Sequence, residues 1–179
     1  MTKLDLCLDF ANTRYWRGQA TPTETLTAPA DLASWAKASK APSSKQFEHA
    51  LVLRETLHRL FDAHAQGKVP AGRDLETLNA ALSAAPTRTT LKRGREGYEW
   101  EVDMKSATAL SLLAPVLWSA GDLLAGPKLA KVRRCANPEC LYLFLDDSRA
   151  GKRRWCSMSS CGNRAKARRH YHKSKEDTD

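Results

Sequence analysis

The chain has 179 residues, 42% of them hydrophobic and 27% charged, the balance of a globular protein and enough for one ordinary domain plus a small one. No apolar run approaches the ~18 residues that cross a bilayer. The N-terminus also lacks the basic-then-apolar pattern of a secretion signal, so the expected compartment is the cytoplasm and no membrane partner is expected. The formal charge of +9 is unevenly placed: residues 1–127 hold fifteen Lys/Arg against fourteen Asp/Glu, and residues 128–179 hold fourteen against six, a net +8. A basic segment on a neutral carrier is the pattern of a polyanion-binding module.

In chain order, Leu4, Cys7, Leu8 and Ala11 fit one helix face, although Leu4, Leu6, Leu8 and Phe10 also alternate as in a strand; we read a helix. Cys7, alone in LDLCLDF, reads as a small buried hydrophobe. Asp9, Asn12 and Arg14 stand close together and are candidates to line a pocket. Thr21 to Pro29 reads as a connector, and Pro29 opens a short helix carrying Leu32, Trp35 and Ala36. Ser43 and Gln46 form a capping box for a helix over 44–66. Phe47, Ala50, Leu51, Arg54, Leu57, Leu60, Phe61 and His64 make its inward stripe, and Gly67 ends it.

A second helix over 72–84 points Leu75, Leu78 and Leu82 inward. Arg88 to Arg93, a Gly94–Gly97 turn and Tyr98 to Met104 read as a β-hairpin. A long apolar helix from Ser106 to Leu124 follows, with a kink expected at Pro115, and Gly126-Pro127 marks a domain boundary. Residues 1–127 thus read as a mostly helical α+β domain, and 128–179 as a small basic one.

Cys135, Cys140, Cys156 and Cys161 follow a C-x4-C-x15-C-x4-C spacing. In a reducing compartment such clustering favours metal over disulfides. Zinc takes four thiolates as a tetrahedron, and a site with no open position is structural rather than catalytic. Asn137-Pro138 predicts a tight turn folding Cys140 back towards Cys135. Leu141 to Leu145 and Lys152 to Trp155 read as two strands joined by a 146–151 turn, followed by a helix from Cys161 onward. Knuckle, hairpin and helix in that order match a treble-clef zinc finger.

At ~100° per residue, Cys161, Ala165, Arg168 and His172 share the face towards the metal. Asn163, Lys166, His170 and Lys173 share the outward face, flanked by Arg164 and Arg169. With no acidic residue before Glu176, that face suits phosphate contacts. Arg133, Arg134, Arg153 and Arg154 either offset the charge of a zinc tetrathiolate or join those contacts; Arg153 and Arg154 are counted among the candidate nucleic-acid residues.

The segment RRCANPECLYLFLDDSRAGKRRWCSMSSCGNRAKARRHYHK resembles the CGNR zinc finger, named for the tetrapeptide at Cys161, Gly162, Asn163 and Arg164. LCLDFANTRYW resembles the opening of the ABATE domain that accompanies this finger in bacterial proteins. The resemblance implies an α+β N-terminal domain, one structural zinc on the four cysteines, a DNA-contacting helix after Cys161, and a role in stress-induced transcription regulation. Leu141-Tyr142 departs from the Gly-Trp of many members, which bears on the knuckle turn but removes no ligand.

The expected function is therefore a DNA-binding transcription regulator. Its N-terminal domain would sense a small molecule or mediate assembly, and a homodimer would supplement a single finger's small contact area. The alternative is a finger that binds RNA or a protein. A nuclease of the His-Asn-His type is disfavoured, because Arg153, Arg154 and Trp155 stand where a histidine base is needed; we read no enzyme.

Overall fold

A computed structural model describes residues 5–94, 97–102 and 108–176, with the side chains of His170 and of residues 172–176 outside that description. Its α-helices are α1 (Leu6–Ala11), α2 (Pro29–Trp35), α3 (Ser44–Ala65), α4 (Gly72–Ala84), α5 (Ala109–Ala125) and α6 (Asn163–Glu176). Three separate antiparallel ribbons pair β1 (Arg14–Tyr15) with β2 (Thr23–Glu24), β3 (Leu91–Gly94) with β4 (Gly97–Trp100), and β5 (Val132–Arg134) with β6 (Leu143–Leu145). The fold is α+β and mostly helical, as expected. The hairpin turn at 95–96, its expected end at Met104 and the expected helix start at Ser106 lie outside the described residues.

Local chemistry sets the helix starts. Ser43 Oγ accepts from the Gln46 amide and Gln46 Oε1 accepts from the Ser43 amide, closing the capping box of α3. Pro29 occupies the first turn of α2, where Asp31 accepts from the amides of Thr27 and Ala28. Thr108 caps α5 by accepting from the Ser111 amide, and the helix runs through Pro115 as one element.

Helices α1, α3 and α5 enclose the main core around Phe10, Leu57, Phe61, Leu113 and Leu117. Within α3, Leu51 and His64 are only half-buried, and Leu53 is buried in addition to the expected stripe. Arg54, the polar residue on that stripe, is 2% exposed. Its guanidinium makes a two-pronged bond to Glu24 of β2, both contacts at 2.6 Å. Arg17 binds Glu55 in the same way, at 2.5 and 3.2 Å. These pairs tie the first ribbon to α3; with the Glu24 and Glu55 side chains 33% and 28% exposed, losing one partner costs less than the roughly 3–5 kcal/mol of a fully buried pair.

Two expectations about faces and strands are corrected. Leu75 is 49% exposed, and α4 instead turns Asp74 and Leu78 inward, because Arg59 of α3 binds the Asp74 carboxylate at 2.6–3.1 Å. Lys152 to Trp155 forms no ladder. β6 pairs instead with β5, before the knuckle, in the register Val132↔Leu145, Arg133↔Phe144 and Arg134↔Leu143. The buried Asp146 carboxylate takes the amides of Ser148 and Arg153, and the Arg154 carbonyl accepts from the Ala136 amide at 2.9 Å, so that stretch is held by isolated bonds rather than by a ladder.

The hydrophobic core continues past Gly126-Pro127. A 3₁₀ turn over Pro127–Lys131 leads into β5, and Val132 and Leu143 join the main core.

Candidate zinc centre and nucleic-acid interface

The cysteines arrive from three local structures. Asn137 builds the knuckle: its carbonyl accepts from the Cys140 amide at 3.0 Å and its Oδ1 accepts from the Glu139 amide at 3.2 Å, the tight turn expected of Asn-Pro. Cys135 directly follows β5, and its amide donates to the Tyr142 carbonyl at 2.8 Å. Cys156 follows the irregular 152–155 stretch. Cys161 lies in a π-helical turn, Met158–Gly162, from which α6 continues.

The four sulfurs lie within 4.8 Å of one another, with Cys140–Cys156 and Cys156–Cys161 at 3.7 Å. A tetrahedron with 2.3 Å metal–sulfur arms has edges of about 3.8 Å, so the donor set fits one zinc ion. The thiols do not ionise alike. Hydrogen bonding from Cys140, with help from Cys135 and Cys161, draws the Cys156 thiol below its ordinary range. The same contact pushes Cys140 up. A divalent cation favours the thiolate form of all four. Asn137 Nδ2 also donates to Cys161 Sγ at 3.5 Å, the kind of outer contact that fixes a ligand's orientation. The site is a closed, structural zinc site; four thiolates leave no coordination position for a substrate.

Around it, the CGNR tetrapeptide divides its work. Cys161 is the ligand. At Gly162 a Cβ would meet the Met158 sulfur at 2.9 Å. Asn163 Nδ2 donates to the Ser159 carbonyl across the start of α6. Arg164 stacks its guanidinium 4.3 Å above the Trp16 ring.

The finger rests on residues 12–18. Asn12, 3% exposed, treats Leu143 as a strand partner: its Nδ2 donates to the Leu143 carbonyl at 2.8 Å and its Oδ1 accepts from the Leu143 amide at 3.0 Å. Tyr15 stacks on Tyr142, and the Gly18 amide donates to the Glu139 carbonyl at 3.1 Å. A Cβ at Gly18 would lie 1.8 Å from the Pro138 oxygen, so only glycine permits this approach. Leu141 adopts φ +55. Its carbonyl accepts from His58 Nε2 at 3.4 Å. Burial, then the Arg17 charge, pulls the His58 imidazole down to about 4 from 6.5.

Asp9, Asn12 and Arg14 are not among the residues lining the cavity between α3, α4 and α5. Asn12 is committed to Leu143. Arg14 lies 3.8 Å from Glu55, and Asp9 is near enough to Tyr142 to reinforce the rise that burial imposes on its phenol. That cavity, of about 870 Å³, opens against Ala50, Leu53, Ala81 and Leu113.

Of the basic candidates, Lys166 and Arg169 are exposed and make no ion pair among the described residues. The side chains of His170, His172 and Lys173 lie outside the described residues. Arg168, expected to face the metal, is 54% exposed in its side chain and binds Glu139 at 2.6 Å. Arg153 is a strap: it stacks on Phe144 at 4.5 Å and donates to the carbonyls of Trp155 and Cys156. Arg154 stacks on Trp155 at 5.4 Å. Arg133 and Arg134 bind the Ala130 carbonyl and Asp62 respectively. Sequence reasoning did not single out Trp16, Gly18 or Glu139; the available signal was the run of polar and aromatic residues, NTRYWRG, that breaks the apolar pattern of α1.

No helix among the described residues is long and apolar enough to cross a membrane. No curated protein matches the chain. The ABATE profile, described as a "putative stress-induced transcription regulator", matches residues 4–127, and the CGNR zinc finger profile matches residues 131–174. Neither is an enzyme family, and together they place the chain in the ABATE family with a CGNR zinc finger at its C-terminal end.

Proposed function

We propose that the chain is a DNA-binding transcription regulator, with residues 128–179 as the contact module and residues 1–127 as its sensing or assembly platform. The observation that carries this reading is the concentration of exposed Arg154, Arg164, Lys166, Arg168 and Arg169 on a scaffold that zinc and the N-terminal cradle hold rigid. Asn163 is exposed beside them, and His170 and Lys173 are proposed as further contacts on helical phase alone. Arg153 supports it from within rather than touching DNA. Four reduced thiols suit the cytoplasm, where the regulator would work. The exposed charge suits the binding of phosphates.

The test is fluorescence anisotropy of labelled duplex DNA with zinc-loaded protein across a salt series. Log affinity should fall linearly with log salt, by about 0.9 per phosphate neutralised. Absence of binding, or binding indifferent to salt, contradicts the proposal. Partners captured from lysate that survive nuclease digestion would favour a protein-binding finger instead.

The 870 Å³ cavity supports a sensing role. Its volume lies in the range of small-molecule sites, and its small apolar walls, with Gln46, His49, Thr77, Thr89 and Ser111 among the polar groups, suit an uncharged effector that carries both apolar surface and hydrogen-bonding groups. The neutral dye Nile red should brighten on binding the wild type and much less with Ala81→Trp. Because one finger covers little DNA, we propose a homodimer on specific sites, which sedimentation with and without duplex would detect.

A further inference from the structure

A cleft of about 300 Å³ lies between the knuckle and the first turns of α6. Trp155 and Ala136 wall it, and Arg154, Arg164, Arg168 and Arg169 all line it. These arginines come from two separate stretches of chain, and two of them are oriented by aromatic rings. Arg154 lies over Trp155 and Arg164 over Trp16. Stacking fixes the plane of a guanidinium while leaving its N–H edge available, which lowers the ordering cost of a later hydrogen bond. Arg168 is held differently: Glu139 Oε1 accepts from it at 2.6 Å, and Gln19 Nε2 reaches the other carboxylate oxygen at 3.4 Å.

We infer that this cleft is the phosphate-gripping site of the finger, and that Glu139 is an internal carboxylate which a backbone phosphate displaces from Arg168. The inference rests on the nucleic-acid reading above and moves its centre. The strongest contacts come from the knuckle–helix cleft rather than from the outward face at Asn163, Lys166 and Lys173. The chemistry is an exchange of anions on a guanidinium, for which planar, two-pronged binding of carboxylate or phosphate is well matched. The charge balance permits it. Four guanidinium groups face a zinc tetrathiolate of formal charge −2 and one Glu139 carboxylate, leaving a net +1 that attracts a phosphodiester. Gln19 keeps Glu139 in reach, so the carboxylate tunes affinity downward and disfavours weakly held anions.

The experiment uses the full zinc-loaded chain and a short fluorescein-labelled duplex, titrated at several KCl concentrations. Glu139→Gln should tighten binding by about 3- to 10-fold, since the competing charge is gone while the side chain keeps its shape. Arg168→Ala should weaken binding and flatten the salt slope by about 0.9. The combined variant should bind no tighter than Arg168→Ala, because the benefit of Glu139→Gln runs through that arginine. Arg154→Ala, which alters no metal ligand, should weaken binding more than Lys166→Ala. Zinc release assayed with a colorimetric chelator confirms one ion per chain in each variant, so a folding failure is recognised as such and replaced by the Arg154 comparison.

If the wild type binds duplex but Glu139→Gln leaves affinity unchanged and Lys166→Ala is the more damaging change, the cleft assignment is overturned while DNA binding stands. If the wild type binds no duplex at any salt, the underlying reading fails. Inorganic phosphate is the control anion: saturation of the cleft by millimolar phosphate without competition from duplex would reassign it to a free phosphate compound and overturn the inference.

Discussion

Replacing Asn12 by alanine tests whether the finger is docked or merely attached. Asn12 is buried, and its amide satisfies both the N–H and the C=O of Leu143 at 3.0 and 2.8 Å. The substitution leaves two buried backbone groups without partners. Each such group costs about 1–3 kcal/mol, so Asn12→Ala should lose about 2–5 kcal/mol. The assay is urea denaturation of the zinc-loaded protein followed by tryptophan fluorescence, since Trp16 and Trp155 both pack against the zinc cluster. Asn12→Asp should be at least as damaging, because a carboxylate accepts from the Leu143 amide but sets an oxygen against its carbonyl. A loss below about 0.5 kcal/mol for the alanine variant would show that water or a local shift replaces these bonds, and the docking argument would fail.

Gly18→Ala should displace the knuckle, since its Cβ would sit 1.8 Å from the Pro138 oxygen; we expect a loss of more than about 2 kcal/mol and faster zinc release to a chelator, and unchanged release would contradict it. Leu141→Gly removes a left-handed leucine at φ +55, a conformation that costs L residues about 1–2 kcal/mol. Allowing for glycine's extra unfolded-state entropy and the lost half-buried side chain, the variant should be neutral to about 1 kcal/mol more stable by thermal denaturation; a loss above about 2 kcal/mol would refute strain at this site. His58 is held neutral when folded, with its imidazole at about 4 against 6.5. As pH falls from 6.5 to 4 the unfolded chain binds a proton that the folded chain refuses, so stability declines across that window, by up to roughly 3 kcal/mol. Stability curves for His58→Gln should lack this part of the slope, and identical slopes would rule the histidine out.

What sequence could reveal followed the range of the interaction. The capping box at Ser43 and Gln46, the helix start at Pro29 and the Asn137-Pro138 turn are set within four residues, and each formed as read. The zinc ligands were legible for the same reason, since two short cysteine spacings report on one centre. Long-range pairings were not. Nothing local to Arg54 names Glu24, nothing in α4 shows that Arg59 draws Asp74 inward, and Asn12 lies 131 residues from its partner Leu143. The Lys152 to Trp155 stretch misled because strand pattern was read without asking where its N–H groups go; Asp146 takes the Arg153 amide. Helical phase gave the face of Arg168, beside Cys161 and Ala165 against the knuckle, but not its partner Glu139, which lies 29 residues away.

Whether the zinc-held finger reads DNA is decided by selecting bound fragments from a pool of random duplex DNA, with the zinc-loaded chain beside a Cys161→Ser variant. Progressive enrichment of a shared sequence by the zinc-loaded chain, and none by the variant, is the expected result; equal recovery by both, or no enrichment by either, would contradict DNA reading by the finger.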